Sequence, residues 1–131
     1  MKIRVYYEDT DAAGVVYHSN YLNYMERART EYIRERGCSV SDMATDGSVF
    51  PVVHMEIEFK APARHDELLS VRTLPIKVAG SSFTLIQQIF RDSDQKLLVE
   101  ARVSLACVSP LLKAKRLPLE IKELLMREIQ P

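Results

Sequence analysis

The chain has 131 residues, 47% of them hydrophobic and 27% charged, which sizes it as one folded domain and excludes an intrinsically disordered chain. Its 18 Lys and Arg balance 18 Asp and Glu, so it lacks the basic excess that nucleic-acid binding usually leaves. No window approaches the ~18 consecutive apolar residues of a membrane span.

The N-terminus, Met1-Lys2-Ile3-Arg4, meets Glu8, Asp9 and Asp11 too soon for a secretory leader and is read as mature sequence. Cys38 and Cys107 are too few for a disulfide framework and fit no CxxC pattern, so reduced thiols in a cytoplasmic protein are expected. Ile3, Val5 and Tyr7 alternate on one face and predict a half-buried first strand. The segment from Glu8 to His18 is too polar, and too punctuated by Gly14, to be one regular element. Ser19 or Asn20 is placed to cap a helix running to about Arg36 and ending at Gly37. Tyr21, Met25, Ala28 and Tyr32, widened by Leu22 and Ile33, give that helix one apolar stripe, with Arg27, Arg34 and Glu35 on the solvated side. Ser41 to Ala44 reads as a short helical turn.

After Gly47 the periodicity changes from helical to alternating. Val53, Met55, Ile57 and Phe59 share a face opposite His54, Glu56, Glu58 and Lys60, and Pro62 closes the strand. Leu69 to Val78 is extended, but Pro75 breaks its ladder and demands an edge position, a bulge or a strong bend. Phe83 to Arg91 is the next strand and Asp92-Ser93-Asp94-Gln95 a turn. Leu97, Val99, Ala101, Val103, Leu105 and Cys107 then alternate without a fault. Pro118 opens a short helix with Ile121, Leu124, Leu125 and Ile129 on one face. The order is strand, long helix, four strands, short helix: an α+β chain in which a five-stranded antiparallel sheet covers one face of the long helix. The apolar surface left over predicts a homo-oligomer.

The most informative segment runs from Asp9 to Tyr21. Asp11 precedes a helix whose first amides point outward and carry partial positive charge. Such amides can polarise a carbonyl oxygen while a nearby carboxylate attacks the carbonyl carbon or activates a water. Gly14 lets a backbone approach a bulky substrate closely. An ordinary acidic turn and helix cap is the competing reading of the same spacing. A calcium loop would use Asp9, Asp11 and Gly14 as its first, third and sixth positions, but Ala13 sits where a ligand belongs and Asn20 replaces the final Glu.

The run from Tyr7 through Glu8-Asp9-Thr10-Asp11-Ala12-Ala13-Gly14-Val15-Val16-Tyr17-His18-Ser19-Asn20 to Tyr21, followed by Glu26-Arg27-Ala28-Arg29, resembles the signature of the 4-hydroxybenzoyl-CoA thioesterase family, most of all its YbgC-type, Tol–Pal-associated acyl-CoA branch. Phe59-Lys60-Ala61-Pro62-Ala63-Arg64-His65-Asp66 is also similar to that family. The resemblance covers nearly the whole chain, residues 1–131 as one domain. It implies the hotdog fold, a long central helix wrapped by the sheet, assembled as a homodimer or homotetramer. The catalytic carboxylate then falls on Asp11, and the backbone amide that helps polarise the thioester carbonyl falls on His18, whose side chain is itself implicated in the YbgC branch. The start of the strand after the helix, Phe50 to His54, borders the reaction centre by the same resemblance. The implied substrate is an acyl-CoA, with acyl carrier protein as a further partner, and no metal or cofactor is called for because coenzyme A leaves as part of the substrate.

Tyr17, Val53 and His54 are therefore carried forward as substrate-contacting residues, although surface or interface exposure is the competing reading for His54. Lys60, Arg64 and Ser82 are candidates for the phosphate charges of coenzyme A, acting across a subunit boundary, against the plainer reading of solvated strand ends. Lys113, Lys115 and Arg116 read as a solvated basic turn. Cys107 shares the apolar phase of its strand, and nothing near Cys38 activates its thiol. No GxSxG, GxGxxG or P-loop is present. Two other functions fit the same fold less well: a hydratase using His18 and Glu26, whose surroundings do not match hydratase motifs, and a non-catalytic acyl-chain or carrier-protein binder.

Overall fold

The structure, a computed structural model, describes residues 1–129. Strands β1 (Lys2–Arg4), β2 (Val52–Phe59), β3 (Leu68–Val78), β4 (Ser82–Arg91) and β5 (Leu97–Ala106) form one sheet in the order β1-β3-β4-β5-β2. Each neighbouring pair is antiparallel. Helix α1 (His18–Glu35) lies against the sheet, α2 (Val40–Thr45) follows it, and α3 (Leu119–Glu128) packs on β3. This is the hotdog arrangement, one long helix held against a five-stranded antiparallel sheet. No helix among the described residues is long and apolar enough to cross a membrane.

Several expected boundaries hold to within a residue or two. α1 ends at Gly37, whose φ of 95° suits only glycine cheaply, and the Gly37 and Cys38 amides close back on Arg34 and Ile33 at 3.0 and 3.3 Å. α2 extends the expected turn by a residue at each end and is capped by Ser39, whose Oγ accepts from the Asp42 amide at 3.2 Å. Pro75 is accommodated by a bulge between Pro75 and Lys77, and short β1 pairs only with Leu68 to Ser70, so no neighbour needs the missing Pro75 amide. Ile121, Leu124 and Leu125 of α3 and Cys107 after β5 are buried as the periodicity requires.

Three expectations are corrected. The first strand stops at Arg4, and Tyr7 is 80% exposed rather than half-buried. There the Asp9 carboxylate accepts from the Tyr6 amide at 2.9 Å and draws Tyr7–Asp9 into a tight 3-10 turn. β2 keeps the expected alternation but not the expected burial: Met55 and Ile57 are half-buried, while Val53 and Phe59 are 61% and 50% exposed. The reason is position, since β2 ends the sheet and its outer flank has no strand beside it. The buried arc of α1 is also wider than the stripe, taking in Tyr24 and Arg29 and leaving Leu22 exposed.

Arg29 is the informative case. Only 8% exposed, its Nη1 donates to Gln87 Oε1 at 3.0 Å. Gln87, fully buried in mid-β4, uses Nε2 to donate to the Met25 carbonyl at 3.0 Å and to Thr73 Oγ1 at 3.1 Å. The alternation Phe83, Leu85, Gln87, Ile89 forces that amide inward, and α1 supplies the partners that make its burial tolerable. Burial lowers the Arg29 guanidinium from its usual range, with Glu26 opposing. Gln87→Leu leaves the buried Arg29 charge and the Thr73 hydroxyl without this partner, so urea unfolding should show a loss of roughly 2–4 kcal/mol.

Burial, foremost, also raises the phenols of Tyr21, Tyr24 and Tyr32, with the Asp9 carboxylate adding to the effect at Tyr24. Below about pH 10 folded and unfolded phenols are all protonated and none of this matters. Above it the unfolded chain releases protons that the folded chain keeps, so stability falls as pH rises. Unfolding midpoints measured from pH 9 upward should therefore decline, and Tyr24→Phe should make that decline shallower.

Candidate active site

Between β1 and α1 the chain makes a small irregular hairpin. Thr10 bridges Val16, the Asp11 amide donates to the Val15 carbonyl at 2.9 Å, and the Gly14 amide returns to the Asp11 carbonyl at 3.0 Å. Gly14 sits at φ 78°, a conformation with little cost for glycine alone. At the tip, the Ala13 amide donates to Asp11 Oδ1 at 2.8 Å, a turn typical of aspartate, which fixes one carboxylate oxygen and leaves Oδ2 free of partners among the described residues.

The hairpin is tied to its surroundings on two sides. The Asp9 carbonyl accepts from the Tyr17 amide at 2.8 Å and from Asn20 Nδ2 at 2.9 Å. The Val16 amide donates to the Ala63 carbonyl at 2.8 Å, and the Ala63 amide donates to Tyr21 Oη at 3.0 Å. This corrects the expected cap. Asn20 spends its side chain on Asp9, Ser19 caps nothing, and α1 begins at His18 behind an extended Tyr17 with no side-chain cap. The His18 and Ser19 amides therefore start the helix without acceptors among the described residues, as free donors at its electropositive end.

These groups meet in a cavity of about 370 Å³. Asp11, Val15 and Val16 form one wall, His18 and Tyr21 of α1 a second, and Phe59 to Pro62 a third. His18 packs against Tyr17 with the rings tilted by 46° and their centres 4.5 Å apart, and meets Phe59 edge-on at 6.4 Å. Asp11 is exposed, as access to a large substrate requires, and lines this open crevice.

Of the residues singled out in the sequence, the structure brings Asp11, His18 and Lys60 to one cavity. Lys60 Nζ also pairs with Glu58 Oε2 at 3.1 Å. Tyr17 adjoins the cavity through His18, and Arg64 bridges Val15 behind the hairpin, its guanidinium without an ion pair among the described residues. Val53 and His54 stand near the opposite end of β2 from Phe59, and Ser82 opens β4; none of the three lines this cavity. Sequence reasoning passed over Tyr21 and Phe59 as site residues, because both fall in apolar stripes that read as core. The signal available for Tyr21 was its place one helical turn after His18, on the same side of α1.

A smaller cavity of about 80 Å³ lies farther along α1, between Arg29 and Phe50 and next to Phe83. It contains neither Asp11 nor His18. Among the described residues no group of three His, Cys, Asp or Glu side chains is arranged to hold a metal ion.

A family model described as the thioesterase-like superfamily matches residues 5–125. An acyl-CoA thioester hydrolase, YbgC, of Escherichia coli is 42% identical over 120 residues, covering 91% of this chain and 89% of that one. An acyl-CoA thioesterase, YbgC, of Haemophilus influenzae is 38% identical over 92% of this chain and 88% of its own. Among solved structures, a probable thioesterase from Bartonella henselae has a TM-score of 0.85 at 38% identity, covering 90% of this chain and 97% of its own. A 1,4-dihydroxy-2-naphthoyl-CoA thioesterase from Synechocystis has a TM-score of 0.90 at 26% identity, covering 100% and 97%. With the hotdog fold, the Asp11 hairpin and the uncapped helix start already in place, the chain belongs to the thioesterase-like superfamily and, within it, to the YbgC-type acyl-CoA thioester hydrolases.

Proposed function

We propose that the chain hydrolyses an acyl-CoA to the free acid and coenzyme A in the cavity between the hairpin and α1, with Asp11 as general base or nucleophile. One observation carries this reading: Asp11, with one carboxylate oxygen free of partners, and His18, whose unclaimed amide starts α1, line one open cavity. A thioester carbonyl set between them has a donor pair on its oxygen and a carboxylate on the side of its carbon. As base, Asp11 takes a proton from water as the water oxygen bonds to the carbonyl carbon; as nucleophile, it forms that bond itself, and after the thiolate has left, a water hydrolyses the resulting anhydride to the free acid and the Asp11 carboxylate. In both cases the carbonyl electron pair moves onto oxygen, where the amides hold it, and then returns to expel the thiolate. His18, beside that oxygen, assists through its side chain as well as its amide. No step calls on a metal or a redox cofactor.

Tyr17 flanks the entrance, Lys60 supplies a cation for the phosphates of the substrate at the rim of the same cavity, and Arg64, outside its lining but bridged to Val15, supplies a second. Val53, His54 and Ser82 join a site only if a second copy is present. The unpaired outer edge of β2, with its exposed Val53 and Phe59, supports such an assembly. Antiparallel pairing of two β2 edges brings the Val53 end of one copy towards the Phe59 end of the other. A homodimer or homotetramer in the cytoplasm, acting on acyl-CoA or on an acyl carrier protein thioester, completes the reading; nucleic acid has no part in it.

Asp11→Asn keeps side-chain size and the contact with the Ala13 amide but removes the carboxylate. A panel of acyl-CoAs with thiol-release detection should show wild-type turnover on at least one, and a fall in kcat of about 10²–10⁴ in this variant with unchanged circular dichroism. Turnover at the wild-type rate would remove Asp11 from the mechanism. Light scattering coupled to size exclusion should report at least twice the monomer mass; a monomer would leave Val53, His54 and Ser82 without a role.

A further inference from the structure

Tyr21 is 3% exposed, yet it lines the cavity that holds Asp11 and His18, and its hydroxyl lies against Ala63, next in the chain to the cavity's Pro62. Its ring is fixed by Tyr24, edge-on at 6.2 Å, and by Phe59 at 5.7 Å. The Ala63 amide donates to Oη at 3.0 Å and so takes one of its lone pairs. A phenol in that position has its remaining geometry set, and the O–H is left to aim away from Ala63. Among the described residues no acceptor receives that proton, although a buried O–H without one costs about 1–3 kcal/mol. The cavity is where an acceptor can enter. Burial holds the phenol above the ordinary tyrosine range against the opposing Ala63 contact, and the charges of Glu67 and Asp11 add to the rise, so the proton stays on throughout the neutral range.

We infer that the Tyr21 hydroxyl is a second catalytic donor, giving its hydrogen bond to the thioester carbonyl oxygen alongside the amides at the start of α1. The inference rests on the hydrolase reading above and names a residue which that reading does not need. A bond that strengthens as charge gathers on the oxygen stabilises the transition state more than the bound substrate. Its loss therefore appears in kcat before KM.

Tyr21→Phe preserves the ring and removes the hydroxyl. On a substrate that the wild type turns over, kcat should fall about 10²-fold with KM within about twofold. Removing a support for Ala63 could also slow the enzyme, so binding of two uncleavable analogues separates the roles. A difluoroketone analogue, with CF₂ in place of sulfur, adds water or the Asp11 carboxylate at its carbonyl carbon and so presents the tetrahedral oxygen of the transition state; a thioether analogue lacks the carbonyl. The variant should bind the difluoroketone more weakly and the thioether as well as the wild type does. Should Tyr21→Phe not fold, 3-fluorotyrosine at position 21 keeps the hydrogen bonds with a more acidic phenol, and the alkaline fall in kcat should move to lower pH. Wild-type kcat in Tyr21→Phe, equal weakening of both analogues, or an unmoved pH profile overturns the inference and leaves Asp11 hydrolysis standing. A wild-type protein inactive on every acyl-CoA overturns both.

Discussion

The main-chain carbonyl of Asp9 accepts two hydrogen bonds, from the Tyr17 amide and from Asn20 Nδ2, and the layout of the cavity follows from that double acceptance. A carbonyl oxygen has two lone pairs, and both are used. The second anchors Asn20 inside the first turn of α1, where its Oδ1 accepts from Asn23 and not from the helix start, so the helix begins at His18 with amides that no described residue satisfies. The first brings the hairpin end against the helix start, and Asp11 and His18 then line one cavity. Because Thr10 bridges Val16 and the Asp11 amide closes on Val15, the spacing between carboxylate and amides is a property of the backbone. A helix end left uncapped is ordinarily a defect in stability; here it leaves donors available for an incoming oxygen.

A second constraint fixes where α1 lies on the sheet. Apolar burial along Tyr21, Met25, Ala28 and Ile33 holds the helix down but discriminates weakly among positions one turn apart. The buried polar chain from Arg29 through Gln87 to Thr73 and the Met25 carbonyl does discriminate. A slip of the helix leaves these groups without partners in the core, at about 1–3 kcal/mol each and more for the charge. The helix start is thereby held in register with the β2 end that closes the cavity. At the other end of α1, Arg36 meets Glu128 of α3 at 2.9 Å and lies over the Tyr32 ring, so the last helix is clasped to the first.

Much of this was legible in the sequence because it depends on local period and local chemistry. Alternation located β2 and β5, β3 and β4 were read as extended segments between turns, Gly37 ended α1, and Pro75 demanded an irregularity that proves to be a bulge. Asp11 and His18 stood out because the residues around them match a known motif, and the structure brings both to one cavity with Lys60. What stayed hidden depends on partners distant in sequence. The capping competence of Asn20 was visible, but not the Asp9 carbonyl that claims its side chain. Gln87 and Arg29 carry polar labels and read as surface, although each is tolerable in the core because the other is there. The exposure of Val53 and Phe59 follows from the rank of β2 in the sheet, which alternation along one strand does not contain.

The cavity also separates what the side chains contribute to stability from what they contribute to chemistry. Asp11 and His18 are exposed and lie outside the buried cluster, so their replacement leaves the core intact. The main-chain groups that orient them are held by hydrogen bonds that no substitution at positions 11 or 18 removes, proline excepted. Tyr21 joins the two functions in one residue: it belongs to the buried cluster and also lines the cavity. The boundary between core and site therefore runs through a single side chain. A hydrophobicity pattern assigns such a residue wholly to the core, because it weighs the ring and carries no record of where the one polar atom points.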